Sequence, residues 1–160
     1  MVDQMTVETM TAADVMSRML VTVEPDESPL MAWELMRRAD LHHLPVIDAE
    51  SRIVGVLRRE DLACHWSGGP AEQSSVRVAR LLDTQPCPCA TPEMPLSAVA
   101  ALMIDSDVDV VPVTGPAGTL EGLITALDVL KAVAGRATPP HGPMDVRGGL
   151  FRLEPVLPPC

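Results

Sequence analysis

Residues 44–62 read LPVIDAESRIVGVLRREDL, and residues 111–129 read VPVTGPAGTLEGLITALDV. The two stretches align without a gap at an offset of 67, and the alignment extends upstream so that residues 25–62 fall on residues 92–129. Pro25, Leu35, Met36, Asp40, Pro45, Val46, Gly55 and Asp61 meet Pro92, Leu102, Met103, Asp107, Pro112, Val113, Gly122 and Asp128. Where residues differ, apolar type is mostly kept, as for Leu44 with Val111 and Leu57 with Ile124. The core face is therefore repeated. A repeat of this length is a supersecondary unit, and two such units pack together because neither buries its apolar face alone. The cleft between them is the first place to look for function.

Each unit reads as helix, strand, helix, strand, strand, helix. In the first, Thr11–Met19 forms a lead-in helix and Val21–Val23 an extended segment. Ser28-Pro29 starts a helix over Leu30–Ala39 with a capping side chain and proline at the first helical position. Leu44–Asp48 and Ile53–Leu57 are strands joined by a turn, and Arg59–Trp66 closes the unit. Ser67–Ser75 is a linker. The second unit ends with a helix capped by Thr125 and terminated at Gly135. The Pro- and Gly-rich remainder is not a third repeat; Gly149–Leu157 reads as a loose tail or an extended segment packed on a neighbour.

The composition narrows the function classes. With 47% apolar residues in 160, the chain can bury a real core. Trp33, Trp66 and Phe151 are its only aromatic residues and its formal net charge is −10. Single-stranded nucleic-acid binding needs aromatic platforms and a basic groove, so it is not expected. No stretch approaches the roughly 18 to 20 apolar residues that span a bilayer, and no signal peptide is evident, so a soluble, cytoplasmic protein is expected. Cysteines at 64, 87, 89 and 160 are too sparse for a disulfide framework, and reduced thiols are the default. Cys87-Pro88-Cys89 supplies two thiolates, but a structural zinc needs about four ligands and no second closely spaced pair is present. No metal is expected. Ser28 and Ser97 have helix-start explanations and no nucleophile elbow or Walker loop occurs, so no catalysis is expected.

Leu44-Pro45-Val46-Ile47-Asp48 followed by Gly55 to Leu62, and Val111-Pro112-Val113 followed by Gly122 to Val129, resemble the paired motifs of the cystathionine-β-synthase (CBS) domain family. The resemblance covers about residues 11–134. It implies an α/β (α+β) fold in which two repeats, each a small mixed sheet packed by helices, meet about a pseudo-twofold axis as a Bateman module. The corresponding division is an N-terminal segment over 1–10, repeat 1 over 11–66, the linker over 67–75, repeat 2 over 76–134 and a tail over 135–160. Two related clefts would accept adenine-containing ligands: AMP, ADP, ATP or S-adenosylmethionine.

The Gly-x-x-Thr-x-x-Asp spacing in repeat 2 has its own chemical logic. A Thr capping a helix places its hydroxyl beside free backbone N–H groups at the positive end of the helix dipole, where phosphate is favoured. An Asp three residues on lies on the same side and can accept the hydroxyls of a ribose. Thr125 and Asp128 supply both; in repeat 1, Asp61 is present but Arg58 replaces the hydroxyl. Capping alone would also explain Thr125, but an Asp at the equivalent place in both repeats favours binding. His42-His43 resembles the His-Arg-x-Pro-Val pattern with which some members contact phosphate across the cleft. Carried over, His42 and His43 complete the Thr125/Asp128 site. The equivalent position in repeat 2 is Asp109, which would repel phosphate from the Asp61 site unless Arg58 offsets it.

The expected protein is thus a stand-alone CBS pair that reversibly binds an adenine nucleotide or adenosyl ligand and acts as a sensor or regulator. It should form a homodimer, and its ligand state should be read by another chain, such as an unidentified effector protein, or by another copy. Apolar residues beyond one stripe, including Met31, Trp33, Leu35, Val99, Ala100 and Leu102, suggest the dimer face. The alternative is a structural or interaction module whose clefts are degenerate and empty.

Overall fold

The computed structural model describes residues 6–65, 75–82, 84–137 and 144–147. In chain order the elements are α1 (Ala12–Val15), β1 (Met19–Thr22), α2 (Pro29–Arg38), β2 (His43–Ile47), β3 (Ile53–Arg58) and α3 (Arg59–Cys64). A 3₁₀ turn (Val78–Arg80) follows, then α4 (Leu96–Asp105), β4 (Val110–Thr114), β5 (Leu120–Thr125), α5 (Ala126–Val133) and β6 (Met144–Arg147). α2, β2 and β3 begin and end at the positions that α4, β4 and β5 occupy 67 residues later. The irregularities repeat as well. Asp40 and Asp107 both leave their helices with positive φ, 52° and 53°, and the hairpins shift register at Val46/Ile47 and at Val113/Thr114.

Local chemistry accounts for the starts and turns. Ser28 Oγ accepts the Met31 N–H at 3.1 Å and caps α2, with Pro29 at a position whose N–H has no helical partner. The β2–β3 turn is held by Asp48 Oδ1, which accepts the N–H groups of Glu50 and Arg52. β2 pairs antiparallel with β3, and β4 with β5. Parallel bridges from Val23 to Val46 and from Ala90 to Val113 add a third chain segment to each hairpin, so both sheets are mixed.

The two cores are completed by exchange. Leu35, Met36, Leu44, Val46, Leu57 and Leu62 of the first repeat enclose Val78 and Leu81, which open the second. Val99, Met103, Val111, Val113 and Ile124 of the second enclose Ala12, Val15 and Met16 from the N-terminal lead. The crossing is hydrogen-bonded, with Ala12 N–H to the Met94 carbonyl and Val78 N–H to the Glu27 carbonyl. The repeated glycine now has a cause. A Cβ on Gly122 would stand 2.5 Å from Met16 Sδ, and one on Gly55 would stand 3.2 Å from Leu82 Cδ1, so each strand gives up a side chain where the exchanged lead crosses it.

Several expected elements change. The lead helix is the single turn Ala12–Val15 rather than Thr11–Met19, because Ser17 is extended and exchanges both backbone hydrogen bonds with Leu123. The closing helix of repeat 1 ends at Cys64, and Trp66 lies outside the described residues. Met144–Arg147 pairs in parallel with β1, a strand the sequence did not announce, whereas Gly149–Leu157 lies outside the described residues. Leu35 and Val99 are core residues, and Met31, Trp33 and Leu102 pack against the same cores, so they do not form a second face. The large exposed apolar side chains among the described residues are Leu30 on α2, Val54 on β3, Ile104 on α4 and Leu127, Leu130 and Val133 on α5, the last three sharing one helix. Among the described residues, no helix is long and apolar enough to cross a membrane.

Candidate ligand-binding clefts

Among the described residues, two clefts between the repeats hold the candidate site residues. The first, about 460 Å³, gathers His42 and His43 from one repeat and Thr125 and Asp128 from the other. The N-terminus of α5 is built by a reciprocal cap: Thr125 Oγ1 accepts the Asp128 N–H at 3.3 Å and donates to Asp128 Oδ2 at 2.9 Å. The Thr125 N–H also reaches Oδ2, at 2.8 Å. Oδ2 is committed to the cap, which leaves Oδ1 as the oxygen through which Asp128 can meet a ligand hydroxyl. Leu20, Val21, Leu41 and Leu123 supply aliphatic walls.

Asp109 does not stand where the repeat placed it. It lines the Thr125 cleft, with Oδ1 3.4 Å from His43 Nε2. The backbone tie is the same in both repeats, so the difference lies in the side chain, which meets His43. The Asp109 carbonyl accepts the Ala126 N–H at 2.8 Å, tying the entry to β4 to the start of α5, as the His42 carbonyl accepts the Arg59 N–H at 2.9 Å in the first repeat. Each residue is thus fixed beside the helix of its own repeat. With Asp40, Glu60 and Asp128, the Thr125 cleft carries four carboxylates against two histidines.

The second cleft, about 710 Å³, holds Asp61 and Arg58 together with His65 and Arg80. Asp61 repeats the geometry of Asp128, its Oδ2 accepting the Arg58 N–H at 3.0 Å and the Arg58 Nε at 3.4 Å. Arg58 therefore neutralises the carboxylate that its threonine counterpart only caps. The Asp61 charge in turn lifts the Arg58 guanidinium above its ordinary pKa, against a smaller effect of burial, with Asp109 adding to the rise. Charge favours anions here rather than in the Thr125 cleft. Arg80 and His65 escaped the sequence reading because Arg80 belongs to the exchanged segment and His65 follows α3, both outside the aligned block of 25–62 with 92–129. Among the described residues, no cluster of three or more His, Cys, Asp or Glu side chains could hold a metal ion.

A doubled αβ unit with exchanged leads and two clefts between its halves defines a paired-repeat ligand-binding module. The family model described as CBS domain matches residues 12–67 and 78–135, and the chain belongs to the CBS domain family. The inosine-5′-monophosphate dehydrogenase of Methanocaldococcus jannaschii is 26% identical over 140 residues, covering 88% of this chain and 26% of that enzyme. The chain thus spans about a quarter of the length of the curated relatives it matches. Among solved structures, CBSX2 in complex with AMP superposes with a TM-score of 0.68 at 26% identity, covering 78% of this chain and 96% of that one. The CBS domain pair of protein MJ0100, solved with methylthioadenosine and S-adenosyl-L-methionine, has a TM-score of 0.68 at 21% identity over 79% of this chain and 98% of that one, a likeness of fold.

Proposed function

We propose that this protein is a regulatory module that reversibly binds an adenine nucleotide or related adenosyl ligand between its repeats. The observation that carries the reading is the convergence of His42 and His43 with Thr125 and Asp128 in one cleft, since a ligand there touches both repeats. Asp128 Oδ1 accepts the ribose hydroxyls, the aliphatic walls hold the adenine, and His42 faces the substituent on the ribose. The AMP complex of CBSX2 supports this choice of ligand class. A ligand bridging the repeats favours one arrangement of the pair, and a second protein reads that arrangement. On this reading its role is regulatory rather than catalytic and its work is cytoplasmic.

Charge divides the ligands between the clefts. Four carboxylates around Thr125 suit an adenosyl group without phosphate, as in S-adenosylmethionine, whereas Arg58 and Arg80 suit the phosphates of AMP, ADP or ATP. Titration calorimetry with AMP and with S-adenosylmethionine tests both statements. Asp128→Ala should weaken the adenosyl ligand by about 1–3 kcal/mol, and Arg80→Ala should weaken AMP. Binding of neither ligand would favour the alternative of an interaction module with empty clefts, for which the carboxylate of Asp109 beside His43 is the supporting observation.

A further inference from the structure

Cys87 and Cys89 are used by neither the core nor the proposed ligand contacts, and they sit on the segment that walls the Arg58/Asp61 cleft. We propose that they form a reversible dithiol–disulfide couple whose substrate is a low-molecular-weight disulfide. Both thiols are half-buried and free. The Cys89 thiol folds back to the Cys87 carbonyl at 3.3 Å, and the Cys87 thiol lies 3.8 Å from the Pro88 carbonyl. The intervening Pro88 fixes its own φ and restricts the residue before it, so few backbone states separate the two sulfurs. The next residue is clamped, because Ala90 exchanges hydrogen bonds with Pro112 and Thr114 of β4.

The two thiols differ in reactivity. Hydrogen bonding from Cys87 draws the Cys89 pKa down to about 7 against the opposing effect of burial, while the same contact, with burial, pushes the Cys87 thiol up. An attacking thiol is most effective when its pKa lies near the ambient pH. Cys89 is therefore the nucleophile and Cys87 the resolving thiol. The Cys89 thiolate attacks one sulfur of the external disulfide, the external S–S bond breaks, and one thiolate leaves. Cys87 then gives its proton to that thiolate and attacks the Cys89 sulfur of the mixed disulfide, releasing the second external thiol. Two protein thiols are oxidised and one external disulfide is reduced to two thiols. Closing a ring across a single residue strains it, and strained disulfides are the labile, regulatory kind. Excess thiol reverses the reaction.

The test uses the full chain with Cys64→Ser and Cys160→Ser, treated with oxidised glutathione at pH 7 and read by intact and peptide mass spectrometry. The parent protein should lose two hydrogens and retain no glutathione. Adding Cys87→Ser should trap a glutathione adduct at residue 89. Limiting iodoacetamide on the reduced parent, in which the two thiols still face each other, should label residue 89 at least about fivefold more than residue 87. A persistent adduct on the parent, no reaction with it, or equal labelling of the two residues would overturn the proposal. No adenosyl ligand enters the assay, so its outcome is independent of the proposed cleft occupancy.

Discussion

Arg52 and Thr119 occupy the same position in successive repeats, and they are bridged to each other. The Ile53 N–H donates to the Gly118 carbonyl at 3.1 Å, and the equivalent Leu120 N–H donates to the Ser51 carbonyl at 3.0 Å. A residue that pairs with its own counterpart must lie on the symmetry axis, so the pseudo-twofold passes between these two turns. Their backbone is specialised for it: Ser51 and Gly118 both have positive φ, 64° and 77°.

Swapping the residues at this axis should have opposite effects on the two repeats. Gly118→Ala adds a methyl group into open space, so only the left-handed backbone resists it, and it should cost about 1 kcal/mol. Ser51→Gly relieves the same conformation in the first repeat and should leave stability unchanged or raise it by up to about 1 kcal/mol. Urea unfolding of both variants checks the signs.

Gly122→Ala should destabilise the protein by about 1–3 kcal/mol, because the new methyl group meets Met16 at Sδ, Cγ and Cβ, all within 3.0 Å. Gly55→Ala meets only the terminal carbons of Leu82, at 3.2 and 3.3 Å, which can rotate away. It should therefore be the milder change. Denaturant midpoints that rank the two in the other order would contradict the exchanged packing of the leads.

The hairpins, their helices and their offset were legible because identical turn and core residues recur at one spacing. The exchange was not. The sequence reads a lead-in helix over Thr11–Met19 but not which half it packs on, and the burial of Ala12, Val15 and Met16 in the second core with the pairing of Ser17 and Leu123 decides it. The same pairing overrides the helical pattern of Thr11–Met19 after one turn. At the site, the cap and the Asp were legible from Thr125 and Asp128 alone. The location of Asp109 was not, because repeat symmetry assigns equivalent residues to equivalent clefts, whereas its side chain reaches His43 across the boundary.

Asp128→Ala should lower stability by about 1 kcal/mol even without ligand, because it removes the acceptor for both Thr125 donors. Thr125→Ser keeps the hydroxyl and should keep both the cap and any ligand bound there. A melt of the unliganded variants separates this loss from the loss of binding. An Asp128→Ala protein as stable as the parent would mean that the cap adds nothing.

Acid should weaken α2 through a single carboxylate. Hydrogen bonds from Arg37 and then Arg38 hold Glu34 down from 4.5 to about 2, against the opposing effect of desolvation. A carboxyl whose folded pKa is depressed contributes fully above its unfolded value and loses that contribution as pH falls through the folded one. Wild type should therefore lose stability relative to Glu34→Gln between about pH 4.5 and 2, with the two curves parallel above that window. Because the pair is exposed, the effect should shrink at high salt. Thermal melts across that range, at low and high ionic strength, provide the check.

The assembly prediction rests on α5, which is apolar on two sides. Ala132 is buried in the second core and Ala126 and Val129 pack against it, yet Leu127, Leu130 and Val133 remain 58%, 64% and 62% exposed. Ile104 on α4 is 79% exposed. A helix that has already satisfied its own core and still presents leucines to water generally buries them on a partner. A second copy of this chain presents the same patch, and a self-complementary patch closes as a dimer. Light scattering at micromolar concentration should report that dimer. Leu130→Glu should return a monomer with an unchanged fold, since an exposed side chain contributes little to the stability of its own chain. A wild-type monomer, or a variant that still dimerises, would move the interface away from α5.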